Sequence, residues 1–163
     1  MSYTNKQVAK SFADMVNGTQ ENSVSTSNGN FSARKDNSGN AYLYSYSTLI
    51  AYYEKESQTL IFNVTRYSTT TSTKHQTHFY IIERNAYKVK HTASVTGCQY
   101  CENDLKRYLV ENRYIAQDGQ SWDNKPLYRV FDTVSKSIVC TYQKRFFAER
   151  KAKELNEAQA LKG

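Results

Sequence analysis

Apolar residues recur along this chain with two periods, and the places where one yields to the other predict its elements. Residues 42–53 read Y-L-Y-S-Y-S-T-L-I-A-Y-Y. Tyr42, Tyr44 and Tyr46 alternate with Leu43 and Ser45, then Leu49, Ala51 and Tyr53 alternate with Ile50 and Tyr52, the period-2 signature of a strand rich in aromatic and β-branched residues. Residues 54–58 carry no apolar side chain and read as a turn, after which 59–65 return as a second strand. Beyond Tyr67 the alternation gives way to a hydroxyl run, residues 68–73. Ser and Thr compete with the backbone for hydrogen bonds and favour a helix cap over a strand. A helix is therefore predicted from near Thr71 or Ser72 through Glu83.

The same procedure places the other elements. Thr4 and Gln7 have the spacing of a capping box, Val8, Ala9, Phe12, Ala13 and Val16 make one helical stripe, and Gly18 is a natural stop, so 5–17 is a short amphipathic helix. Asn28-Gly29 and Ser38-Gly39 are turn formers, and weak strands at 24–27 and 31–34 flank the first. Together these strands give a four-stranded antiparallel meander over roughly 22–65. The 72–83 helix, with Phe79 and Ile82 on one side, is its cover. Residues 87–92 alternate and read as a lysine-bearing edge strand that Gly97 ends. Residues 102–116 read as a helix with Leu105, Tyr108, Leu109, Asn112 and Ile115 near one face, and 118–121 as a turn. A strand at 127–131, a turn at 132–137, a returning strand at 138–142 and a helix at 144–161 close the chain. The last helix has an apolar stripe (Phe147, Ala148, Ala152, Leu155, Ala158) beside a basic flank of Lys144, Arg145, Arg150, Lys151 and Lys153. The predicted fold class is α+β: an antiparallel β-meander covered by helices, with a C-terminal ββα appendage. The expected domains are a main domain at 1–121 and a ββα module at 122–163.

Composition adds to this picture. Only 39% of the 163 residues are hydrophobic, but 14 Tyr and 7 Phe supply large apolar area with polar tips, which suits a folded domain. No apolar run approaches the roughly 18 residues of a membrane span and the N-terminus lacks a signal-peptide core, so a soluble, intracellular protein with no membrane partner is expected. An odd number of cysteines, three, fits a reducing compartment. The net charge of +7 is uneven: residues 1–83 hold seven Lys and Arg against six Asp and Glu, and residues 84–163 hold fifteen against nine. An anionic partner is to be sought in the basic half, although net positive charge also simply serves solubility.

Candidate chemistry is sparse. Cys98 and Cys101 form a C-x-x-C pair, but a structural zinc site needs four ligands, and only His91 and Cys140 could add to them, from distant segments. Reduced, uncoordinated cysteines and no cofactor are expected. Lys74, His75, His78 and Glu83 cluster on the motif helix, where an acid–base or metal role competes with packing of the imidazoles against the tyrosine strands. Without a Gly-rich phosphate loop, a nucleophile elbow or paired carboxylates, the chain is not expected to be an enzyme. The hydroxyl run at a helix N-terminus, flanked by Arg66 and Lys74, reads either as ordinary capping or as an anion site. Tyrosines beside Lys and Arg suit both a base-stacking platform and a protein–protein hot spot.

One stretch resembles a known group. Leu43-Tyr44-Ser45-Tyr46, followed by residues 66–76, R-Y-S-T-T-T-S-T-K-H-Q, is similar to small proteins encoded by phages and other mobile elements. That group pairs a Leu-Tyr-Ser-Tyr segment with a Tyr-Ser-x-Thr-Thr-Ser-x-Lys-His-Gln segment leading into a helix. The likeness covers residues 42–83 and departs from the pattern in the extra hydroxyls around Thr71 and Thr73. It carries no activity to particular residues. It implies a genetic setting, that of a phage or prophage accessory protein acting in the cytoplasm of an infected or lysogenic bacterium. Such proteins are often counter-defence factors, small anti-CRISPR inhibitors among them. The functional expectation is thus a non-enzymatic inhibitor of a host defence nucleoprotein, with a Cas effector–guide RNA complex as the specific partner. A stand-alone nucleic-acid-binding protein is the alternative, and a small metal- or histidine-dependent enzyme the third class. The expected binding residues are Arg66, Lys74 and His75 on the motif helix and Arg145, Arg150 and Lys151 on the last helix.

Overall fold

Thr4 opens the first element as expected. Its Oγ1 accepts from Gln7 N at 3.2 Å while Thr4 N donates to Gln7 Oε1 at 2.8 Å, so two of the orphan N–H groups of helix α1 (Asn5–Asn17) are satisfied reciprocally. Gly18, at φ 81°, ends the helix in the left-handed conformation that glycine adopts without cost. In this computed structural model, which describes residues 2–20, 22–96 and 102–162, the chain has an α+β fold. It forms two compact units, Met1–Lys106 and Arg107–Gly163.

The first unit is built on a six-stranded sheet in the order β1-β2-β3-β4-β5-β6, from β1 (Val24–Ser25), β2 (Phe31–Lys35), β3 (Ala41–Ser45), β4 (Thr48–Glu54), β5 (Thr59–Asn63) and β6 (His91–Val95). β1 to β5 are an antiparallel meander, as expected from the alternation. The predicted single strand at 42–53 is two strands. Tyr46, at φ 57°, turns the chain between Ser45 and its partner Thr48, and Tyr46 N donates to Asn30 O at 2.7 Å. A two-residue loop ordinarily announces itself with Asn-Gly or Asp-Gly, and here it is Tyr-Ser.

The cover of this sheet is α1 together with a helical segment that follows β5. Val8, Phe12, Met15, Phe31, Leu43, Tyr53, Phe62 and Ile82 meet in one core. The expected 72–83 helix is present but irregular. A π-helical turn (Thr71–His75) passes through a 3₁₀ turn (Gln76–His78) into α2 (Phe79–Asn85). Threonines supply a cause: Thr73 Oγ1 donates to Thr69 O at 2.6 Å and Thr77 Oγ1 to Thr73 O at 2.9 Å, back-bonding that loosens the backbone ladder.

The edge strand starts later than its alternation suggests, at His91 rather than Tyr87, and runs parallel to β5. Buried Asn17 explains the delay. Its side chain donates to Asn85 O at 2.7 Å and accepts from Tyr87 N at 2.9 Å and Lys88 N at 3.3 Å, which fixes those residues as a loop.

Beyond residue 101 the expected elements need correction. The helix predicted over 102–116 stops earlier, as α3 (Glu102–Glu111), where Asn112 N and Nδ2 both donate to Tyr108 O at 2.9 Å. The chain then continues as β7 (Tyr114–Gln120), so the expected turn at 118–121 begins only at its end. β7 pairs along its whole length with β8 (Pro126–Asp132), and β8 pairs with β9 (Ser137–Tyr142). The ββα unit therefore has a third strand, and a division at 121/122 would part β7 from β8. Helix α4 (Arg145–Lys162) covers one face of this sheet, burying Ala148 and Ala152 against Val130. Asn156 clamps it: Oδ1 accepts from Tyr114 N and Nδ2 donates to Tyr114 O, both at 2.8 Å. Arg113 makes a two-pronged ion pair with buried Asp132, at 2.9 Å for each prong, and holds that carboxyl well below the usual carboxylate range. Among the described residues no helix is long and apolar enough to cross a membrane.

Candidate functional site

The motif residues converge from separate elements, and Ser45 is the meeting point. At the end of β3 its Oγ lies 2.7 Å from Thr71 Oγ1 and 2.6 Å from His75 Nδ1. Thr71 and His75 are four apart on the π-helical turn, so both reach the same hydroxyl. The imidazole is stacked on Phe31 with centroids 4.4 Å apart and planes 6° from parallel. A second set of bonds holds the exit of β5. Gln76 Nε2 donates to Asn63 O (2.8 Å) and Thr65 O (3.0 Å), and Asn63 Nδ2 donates to Leu49 O (3.1 Å) and Tyr67 Oη (2.8 Å). The Tyr-Ser-x-Thr-Thr-Ser-x-Lys-His-Gln segment thus acts as a latch between strand ends and helix.

A Ser–His hydrogen bond is also what nucleophilic catalysis requires. Here Ser45 is 0% exposed and His75 2% exposed, and the serine hydroxyl already engages Thr71. The imidazole pKa is pushed below its ordinary value by burial first, then by the charges of His78 and Lys74. The arrangement therefore favours a neutral, structural histidine.

The hydroxyl run caps this segment. Ser68 Oγ accepts from Thr71 N at 3.3 Å, Ser68 O accepts from Ser72 N at 3.0 Å, and Ser72 Oγ accepts from Tyr67 N at 3.2 Å. Ser68→Ala is expected to lower stability by about 1 kcal/mol in urea denaturation while leaving partner binding unchanged. Lost affinity with unchanged stability would instead mark the run as an anion site.

The six residues expected to bind divide between the two units, three in each. His75 is in the core of the first unit, whereas Arg66 and Lys74 are exposed on the same unit, and Asn5 Nδ2 donates to Lys74 O at 3.3 Å. The strand tyrosines do not form an open platform. Tyr42 and Tyr52 are buried, with Arg34 Cζ 4.2 Å and Lys106 Nζ 5.2 Å from the Tyr42 ring centre.

Arg145, Arg150 and Lys151 share α4 in the second unit, and there the structure adds what the sequence reading missed. Phe147, expected on the apolar stripe, is 40% exposed, and its neighbour Phe146 is 64% exposed. Their rings meet edge to face at 5.6 Å, and Arg150 Cζ lies 5.8 Å from the centre of one and 5.3 Å from the other. Adjacent Phe-Phe at a helix start was the available signal. Arg145 also bonds Glu149 at 2.9 Å, and Arg150 and Lys151 each lie 3.9 Å from Glu154. Exposed pairs of this kind hold side chains in place more than they stabilise the fold.

Cys98 and Cys101 lie outside the described residues. His91 is on β6 of the first unit and Cys140 is on β9 of the second, where it packs beside Val130. Among the described residues no group of three His, Cys, Asp or Glu is placed to hold a metal.

The fold and the latch define a class, a small α+β protein whose polar latch ties strand ends to a helical segment. A family model described as a family of unknown function (DUF8033) matches residues 14–94, about half of the chain. That stretch runs from within α1 to within β6 and contains the whole latch. No curated protein and no solved structure matches the chain.

Proposed function

We propose that this is a non-enzymatic binding protein directed at a nucleoprotein, with the start of α4 as its protein-contacting anchor. The observation that carries the reading is Arg150 lying over two exposed phenylalanine rings. Aromatic rings and arginines supply most of the binding energy in protein interfaces, and large exposed apolar side chains set beside one another mark such surfaces. Arg145 and Lys151 surround the rings with charge suited to an acidic rim or to phosphates. The resemblance to phage accessory proteins makes a guide-loaded Cas effector in the bacterial cytoplasm the first partner to test, and inhibition the expected outcome.

The test is co-elution of the purified protein with guide-loaded effectors, compared with binding to naked DNA and RNA. Binding to an effector, with weak binding to free nucleic acid, is expected. The variant carrying Arg145→Glu, Arg150→Glu and Lys151→Glu should lose most of that binding while staying folded, since all three lie off the buried stripe. Tight, steeply salt-dependent binding to naked nucleic acid with no effector bound would overturn the reading in favour of a stand-alone nucleic-acid binder. Full inhibition by the charge-reversed variant would move the interface away from α4.

A further inference from the structure

The first unit carries a groove between α1 and α2 that the latch does not use. Its volume is about 600 Å³, and Tyr3, Lys6 and Lys10 line one side while Tyr80 and Arg84 line the other. We propose that this groove binds a short single-stranded segment of nucleic acid, with phosphates on the cations and a base on Tyr80. The proposal stands on residues of the first unit alone, and weak oligonucleotide binding there is compatible with the reading of α4.

Three observations favour this occupant. First, the side-chain spacing is that of two facing ladders. Lys6 and Lys10 are four apart on α1, and Tyr80 and Arg84 are four apart on α2, so each pair lies along one helix face. Successive phosphates of a strand can match such rungs. Second, the charge is available. Lys10 is shared with Asp14 at 2.6 Å, but Lys6 and Arg84 lie within ion-pair distance of no carboxylate among the described residues. Third, the groove offers rings rather than aliphatic sockets. Tyr80 is 51% exposed, whereas Ile81, the one aliphatic residue of the lining, is 6% exposed. An amphipathic peptide needs apolar anchors to dock, whereas a nucleobase needs a flat aromatic face, and any base can use it.

The experiment is fluorescence anisotropy with fluorescein-labelled dT12 and U12, with the full chain at low salt and through a salt series. Tyr80→Ala is expected to weaken binding about tenfold, the worth of one stacked base. Lys6→Glu combined with Arg84→Glu is expected to weaken it at least tenfold and to flatten the logarithmic salt dependence by roughly 1.4, the share of two lost phosphate contacts on a single strand. Both variants should keep the wild-type circular dichroism, since the three side chains are exposed; Glu at 6 suits the dipole of α1, and Glu at 84, in the last turn of α2, opposes that helix's dipole only modestly. The proposal is overturned if Tyr80→Ala binds as the wild type does, or if the double variant does. It is equally overturned if poly-glutamate displaces dT12 from the wild type and binds Tyr80→Ala undiminished, because the groove would then serve an acidic protein segment.

Discussion

His75→Ala is expected to destabilise the first unit by about 3 kcal/mol. The substitution removes a ring stacked on Phe31 at 4.4 Å and leaves a void at a site that is 2% exposed. Removing a large buried side chain costs about 2–5 kcal/mol. It also takes one of two partners from Ser45, whose hydroxyl keeps Thr71 and so is not left wholly unsatisfied. His75→Phe preserves the stack and loses only the hydrogen bond, with an expected cost of about 1–2 kcal/mol. Urea denaturation followed by circular dichroism distinguishes the two, and equal losses would show that the stack contributes nothing. The pH dependence is a second check. The folded pKa lies below the ordinary 6.5, so the fold prefers the neutral ring. The His75 contribution is therefore complete above about 6.5 and declines as pH falls through that value toward the folded pKa. His75→Phe should lack this component of the acid slope, and an unchanged slope would remove His75 as its source.

The second large effect is expected on binding. If α4 anchors a guide-loaded effector, Phe146→Ala with Phe147→Ala should weaken the complex about a thousandfold, since anchor residues cost about 2 kcal/mol or more each on truncation. Stability should fall far less, because both rings are already substantially exposed in the free protein. Arg150→Lys keeps the charge but loses the planar group that lies over both rings, so it too should weaken binding, by a smaller factor. Affinity measured by surface plasmon resonance decides it. Undiminished binding of the double alanine variant would mean that the rings are bystanders.

Particular residues explain how much of this was legible beforehand. Thr4, Gln7 and Gly18 bounded α1 correctly because caps and left-handed stops are local chemistry. The meander was legible because alternation on a half-buried sheet is also local. Failures came where distant groups decide. The turn at Tyr46 depends on Asn30 O, and the late start of β6 depends on Asn17, whose bonds reach across 68 residues or more. Ile115, at helical spacing from Tyr108 and Asn112, lies instead in a strand because β8 offers a partner along the whole of β7. Of the expected binding residues, His75 was claimed by the latch, since spacing alone does not tell an inward-facing histidine from an outward-facing one. Arg145, Arg150 and Lys151 share one helix as expected, and the aromatic pair beside them is what gives that helix a distinct surface.

The parallel pairing of β6 on β5 has a consequence for the order of events during synthesis. Each antiparallel strand of the meander can pair with its predecessor across a short loop soon after it emerges. β5, buried at every position in the finished protein, must wait for β6 on its other side, a strand that ends at Val95. At ordinary translation speeds the stretch between Asn63 and Val95 takes roughly two to six seconds to make. Throughout that interval Leu60, Ile61 and Phe62 sit on an open, uncharged sheet edge, the kind of template on which neighbouring nascent chains pair. The latch can close within the same interval, since His75 and Gln76 precede β6 in the chain. It is thus positioned to hold the unfinished edge in a fixed shape until its last strand arrives.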